Sequence, residues 1–356
     1  MESHRELVYR KPLILFFCML LLLCALLIIS CSSEDNTANE ADSTTDETLA
    51  LEIETLNTDV DKLTVWCACW DYTSGIQAIR DEVELIDTIN LFAANFKSDG
   101  SLTIPDNAAT LYKKLRYNDN TKDMNIFLTV VNDVIDSDVT IAKDTDILYD
   151  TLQNSTNAEA HANEIIALAL DNDFDGIEID YENLDNDMEL WNLFLSFESI
   201  LIEKGSAQGL PVRVILEQSV PIEDLALPEG PEYVVMCYNL YGYNEEKGPK
   251  ADYTFLREIA EKFKSVSNLS FALANGGCDW AGDVPSYVTR ADIEKILAST
   301  EETPERDDTS GALYFTYEDN GVDHSVWYAD ETTLALWAQT LSEALGREID
   351  VSLWRV

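Results

Sequence analysis

Positive charge is scarce in this chain: Lys and Arg total 23 against 67 Asp and Glu over 356 residues, a formal net charge of -44. Such a surface repels polyanions, which excludes nucleic acid as an expected partner and disfavours strongly anionic wall polymers. A neutral or weakly charged substrate is easier to reconcile with it. Histidine is scarcer still. His4, His161 and His324 are widely scattered, so a histidine-based metal site is not expected. The seven cysteines have no zinc-type spacing. Cys67 and Cys69 are too close along one strand to bridge each other, and with Cys237 and Cys278 they read as small buried hydrophobes. No glycine-rich nucleotide turn follows the first strand-like run, and no internal repeat is visible. No cofactor and no metal are expected.

What is present begins with an export signal. Arg5, Arg10 and Lys11 precede an apolar run over residues 13–29, and a small residue, Ser30, stands before Cys31. Ile28, Ile29, Ser30 and Cys31 resemble a bacterial lipobox, which implies cleavage before Cys31 and lipidation of its thiol. The alternative is an uncleaved transmembrane anchor, since the run is nearly long enough to span a bilayer. Either way the remainder is extracytoplasmic, held at the cell membrane. Residues 31–61 are rich in Ser, Thr, Asn, Asp and Glu and read as an acidic, flexible tether. The organisation expected is therefore a signal peptide over 1–30, a tether over 31–61 and one folded domain over 62–356.

That domain has ample material for a core: 46% of the chain is hydrophobic, with 15 Tyr, 12 Phe and 7 Trp. Short β-rich runs at 63–70, 86–93, 125–131, 176–181, 212–217, 233–239, 269–274 and 349–354 alternate with amphipathic stretches such as 158–170, 188–203, 255–263 and 332–345. Strand–helix alternation implies a parallel sheet with right-handed crossovers, and eight repeats imply a closed (β/α)8 TIM barrel. A doubly wound open sheet is the alternative. Asn320-Gly321 between β-rich arms over 313–328 predicts a β-hairpin insertion before the last strand. The sequence ends directly after the eighth run, so no outer helix is expected to follow it.

Chemistry concentrates at residues 175–182. Ile177, Ile179 and Tyr181 alternate with Glu178, Asp180 and Glu182, so period two sends the apolar set to one face and the carboxylates to the other. In a barrel strand the acids point inward and climb toward the C-terminal rim, where barrel active sites lie. Burying unpaired carboxylates costs several kcal/mol each, roughly, so such crowding calls for shared protons or for function. Mutual repulsion raises at least one pKa and leaves a proton donor near neutral pH. Glu182, nearest the rim, is the natural acid; Asp180, about 7 Å away by ordinary strand rise, is its partner. Asp171, Asp173, Asp175, Gly176 and Glu182 also satisfy an EF-hand calcium-loop pattern. Strand-like alternation around Glu178, where a calcium loop carries an apolar residue, decides against it.

Phe174 to Glu182 resembles the signature segment of glycoside hydrolase family 18, with Glu178 in place of the usual middle Asp and Tyr181 in place of Trp. Met236, Tyr238 and Asn239 are similar to the family's sixth-strand motif, and Trp354 falls at the tryptophan closing strand eight. The run 314–330, with Gly321, His324, Val326 and Trp327, is especially similar to spore-cortex glycosidases of that family. The resemblance implies substrate-assisted, retaining hydrolysis of β-linked N-acetylglucosamine glycans: peptidoglycan, N-glycan or chitin-like. It implies that Glu182 is the general acid/base, that Asp180 orients the acetamido nitrogen and that Tyr238 hydrogen-bonds its carbonyl. Glu178, Met236, Asn239 and Trp354 are the further substrate-binding positions. Residues 128–133 lack the Ser-x-Gly-Gly motif common in chitinases, and no wall-binding repeats accompany the barrel. Lectin-like members of this fold make a non-catalytic glycan-binding surface lipoprotein the competing reading, and a capture partner in an uptake system the third.

Overall fold

The computed structural model describes residues 60–70, 76, 79, 86–136 and 139–356. The signal segment, Cys31 and the tether up to residue 59 lie outside the described residues. Eight strands run parallel: Val60–Ala68, Thr88–Phe96, Asn125–Asp136, Gly176–Asp180, Val212–Leu216, Glu232–Met236, Leu269–Ala274 and Ile349–Trp354. Each pairs with the next, and the first pairs with the eighth, Leu63 opposite Val351 and Val65 opposite Leu353. The sheet therefore closes into the predicted barrel. The third strand runs past the predicted 125–131 to Asp136, because it turns back to pair antiparallel with Val139–Ile141.

Helices cover the outside, started by side-chain caps that the sequence supplies. Asp187 accepts the Glu189 and Leu190 amides ahead of Met188–Ala207, and Asp330 accepts the Thr333 amide ahead of Glu331–Leu345. Gly346, at φ 66°, ends the latter in the left-handed conformation that glycine takes most readily. The outward residues of the fourth strand, Ile177 and Ile179, and Tyr181 just beyond it, join the main core with Phe194 and Phe197. Each such buried large side chain contributes roughly 1.5–3 kcal/mol. The inward faces form a separate, smaller cluster of Trp66, Ile215, Val234, Met236 and Ala272.

Between the seventh strand and helix Glu331–Leu345 stands an antiparallel five-stranded sheet, more than the single hairpin expected. Leu313–Asp319 and Val322–Tyr328 pair around Asn320 and Gly321, both at positive φ as a tight hairpin turn requires. Gly277–Ala281 and Val284–Val288 extend the sheet on the other side. Gly277 is needed for that contact, since a Cβ there would lie 1.9 Å from the Trp327 carbonyl oxygen.

Candidate active site

The fourth strand is fully buried, and its inward face carries Gly176, Glu178 and Asp180 in order of height. Strand pairing, not a calcium loop, fixes this register: Leu128 lies opposite Ile177 and Val131 opposite Asp180. At the bottom, the Phe127 ring occupies the space a Cβ on Gly176 would need, 2.5 Å away.

Glu178 lies one level up and is 0% exposed. Trp66 Nε1 at 2.6 Å and Thr129 Oγ1 at 2.8 Å donate to its Oε1. Asn90 Nδ2 at 2.6 Å and Arg213 Nε at 3.0 Å donate to its Oε2. Arg213 continues outward to both carboxylate oxygens of Glu232 at 2.9 Å and to Ser352 Oγ at 2.7 Å, and Ser270 Oγ donates to Glu232 at 2.6 Å. One polar network thus draws a side chain from each of the eight barrel strands. Burial pushes the Glu178 pKa up, and Arg213, Thr129 and Trp66 oppose it. Because the indole on one oxygen and the guanidinium on the other can only donate, we assign Glu178 as the carboxylate. Glu178 makes no hydrogen bond to Asp180 and, unlike the other expected substrate-binding positions, does not line the cavity above it.

Above this floor opens a cavity of about 260 Å³ at the C-terminal ends of the strands, lined by Asp180, Glu182, Met236, Tyr238, Asn239 and Trp354 among others. Six of the seven residues expected to act on substrate therefore converge there. Asp180 is 7% exposed, and its Oδ1 is buried without a hydrogen-bond partner. Burial, then Glu182 and Glu178, push its pKa well above the usual carboxylate range. Glu182 is raised too, first by burial, while Lys143 pulls it down and Glu217 and Asp133 push it up.

Several residues of this site left no trace in the sequence pattern. The Asn132 side chain clamps the Glu182 backbone from both sides, accepting its amide at 2.9 Å and donating to its carbonyl at 3.0 Å. Lys143 forms an ion pair with the Glu182 carboxylate, and Asp133 Oδ1 anchors the Lys143 amide at 2.8 Å. Trp70, Phe92 and Trp354 form an aromatic wall, with ring centroids 5.5 Å and 5.1 Å apart in succession. Trp354 is joined to Arg355 by a cis peptide bond. Tyr238 is half-buried, and desolvation followed by Asp180 and Glu182 raises its phenol pKa, so it stays a hydrogen-bond donor. Asn239 already accepts a hydrogen bond from the Tyr243 hydroxyl, which ties the rim of this wall together.

No family model matches the chain, and no curated protein sequence does. Solved structures do. A chitinase from Chromobacterium violaceum superposes with a TM-score of 0.67 at 18% identity, over 83% of this chain and 93% of that one. The spore cortex-lytic enzyme SleL of Bacillus megaterium gives 0.65 at 16% identity, over 83% and 70%. A family GH18 chitinase from Cycas revoluta, in complex with allosamidin, gives 0.65 at 14%, over 83% and 94%. At these identities the likeness is one of architecture: the chain has the chitinase-like barrel fold of glycoside hydrolase family 18.

Proposed function

We propose that the protein is a retaining glycosidase of β-linked N-acetylglucosamine glycans, using the substrate's own acetamido group as nucleophile. The observation that carries this reading is Asp180 Oδ1, buried and unpartnered within a cavity shared with Glu182 and Tyr238. A buried acceptor without a donor costs about 1–3 kcal/mol, and an acetamido N–H would satisfy it. Glu182 protonates the glycosidic oxygen as the acetamido oxygen attacks the anomeric carbon from the opposite face; the C–O bond breaks and an oxazolinium ion forms. Tyr238 donates to that acetamido oxygen, and Trp354 packs against the sugar. Glu182, now a carboxylate, takes a proton from the water that opens the ring, so configuration is retained. No second carboxylate across the bond is required, unlike the usual two-carboxylate scheme. The solved relatives named chitinase and cortex-lytic enzyme support this reaction class.

Turnover of a chromogenic chitobioside, beside muropeptide and N-glycan panels, tests the reading. A thiazoline analogue of the oxazolinium is expected to inhibit competitively, and an active enzyme indifferent to it would sink substrate assistance. The Lys143–Glu182 ion pair favours a second reading, a non-catalytic glycan-binding protein, because a carboxylate held by an ammonium has no proton to give. Saccharide binding without turnover across all panels would select it.

The same ion pair makes a pH prediction. Lys143 holds the Glu182 pKa down, and general-acid catalysis is lost as pH rises through that pKa. Lys143→Met should therefore move the alkaline limb of the kcat/KM profile to higher pH, and an unmoved limb would show that Glu182 is not the titrating acid. We further propose that lipidated Cys31 holds the enzyme at the outer face of the bacterial membrane; membrane fractionation of Cys31→Ala cells tests this.

A further inference from the structure

A second cavity, of about 320 Å³, adjoins the first and shares Trp70, Tyr238, Tyr243 and Trp354 with it. Its own lining adds Lys250, Arg355, Tyr287 and Cys278, and no acidic residue among the described residues. In a chain with 67 acids and 23 bases, a pocket that brings a buried lysine and an arginine together stands out. Lys250 is only 8% exposed. It has no ion pair among the described residues. Its ammonium donates to the Tyr241 carbonyl at 3.3 Å and lies 5.1 Å from the Tyr243 ring centroid.

Gly242, at φ 109°, makes room for that ammonium, since a Cβ there would come within 2.5 Å of it. The neighbouring Cys278 does not neutralise it, because burial raises the thiol pKa and keeps the proton on sulfur. Arg355 spreads over the Trp70 and Tyr287 rings, 5.7 Å and 5.2 Å from their centroids. A buried charge without a counter-ion costs several kcal/mol, roughly, and persists where a ligand supplies the missing sign. The aromatic faces next to it suit a sugar ring, and the cations suit a substituent on that ring.

We propose that this pocket is a subsite for a carboxylate-bearing sugar, neighbouring the N-acetylglucosamine held over Asp180, with Lys250 as its principal counter-ion. The proposal rests on the glycan-cleaving reading and narrows its substrate. The ligand's carboxylate enters as an ether-linked acid or as a uronate, and both place one negative charge beside a sugar ring.

The test is calorimetric binding to the Glu182→Gln protein, with and without Lys250→Met. The probes are chitotetraose, a tetrasaccharide alternating N-acetylglucosamine with N-acetylmuramic acid, the same tetrasaccharide with its lactyl carboxylates amidated, and a hyaluronan tetrasaccharide. We expect at least one acidic probe to bind ten-fold or more tighter than its neutral counterpart: the muramyl probe against its amide, hyaluronan against chitotetraose. Which one gains identifies the acid. Lys250→Met should remove that advantage, and Lys250→Arg should keep most of it. Thermal unfolding supplies a reading that a purely structural lysine would not: Lys250→Met, relieved of an unpaired buried charge, should melt no lower than the parent. If chitotetraose binds but neither acid gains, or if the advantage survives Lys250→Met, the subsite is overturned while the glycan reading stands. If no saccharide binds, both fall.

Discussion

Glu182→Gln should lower kcat on an unactivated chitobioside by roughly 10²- to 10⁴-fold, the range for removing a positioned general acid, with KM changed little. Glutamine preserves the shape and can still accept from Lys143, and Asn132 grips only the backbone at 182, so the lesion is confined to the proton. The chemistry sets a sharper expectation. A leaving group that departs without protonation, such as a dinitrophenolate, should recover much of the loss in kcat/KM, because the first step then needs no acid, while kcat stays limited by the second step, in which Glu182 is the base. Steady-state rates across leaving groups of graded basicity would show this as a steeper dependence in the variant. A Glu182→Gln protein within ten-fold of wild type on the unactivated substrate would mean that the proton comes from elsewhere.

The second large effect is on stability. Arg213→Met should destabilise the barrel by about 3–5 kcal/mol, the cost of removing one partner from a buried ion pair. Glu178, at 0% exposure, would lose the cation that opposes the upward push of burial on its pKa, and Glu232 would lose both guanidinium contacts. Urea unfolding with unchanged m-value would report the loss directly. Adding Glu178→Leu should return part of it, since the double variant no longer buries an uncompensated charge at that level. A loss under about 1 kcal/mol for Arg213→Met would show that water or a neighbouring strand replaces the guanidinium.

Much of this architecture was readable from periodicity, and the failures have physical reasons. The eight barrel strands announce themselves as short β-rich runs because a parallel barrel buries both faces of each strand. The fourth is the clearest, since Ile177, Ile179 and Tyr181 alternate with acids. Period two specifies the face of a side chain but not its depth, so it puts Glu178 on the same face as Asp180 without showing that Glu178 lies one layer below the cavity. Asp180 and Glu182 were recoverable because they belong to one contiguous segment. Lys143, Asn132 and Arg213 were not, because each acts across strands distant in sequence and looks alone like an ordinary surface residue. Gly277–Ala281 and Val284–Val288 escaped for another reason: the second alternates exposed and half-buried residues, so no apolar pattern marks it.

The network around Glu178 also bears on how the barrel breathes. Its members come from all eight strands, so a strand that leaves the sheet breaks at least one hydrogen bond of the network. Sub-global opening is thereby coupled to global unfolding. The strand amides around this ring are therefore expected to exchange with solvent only on global unfolding, which native-state hydrogen exchange would read.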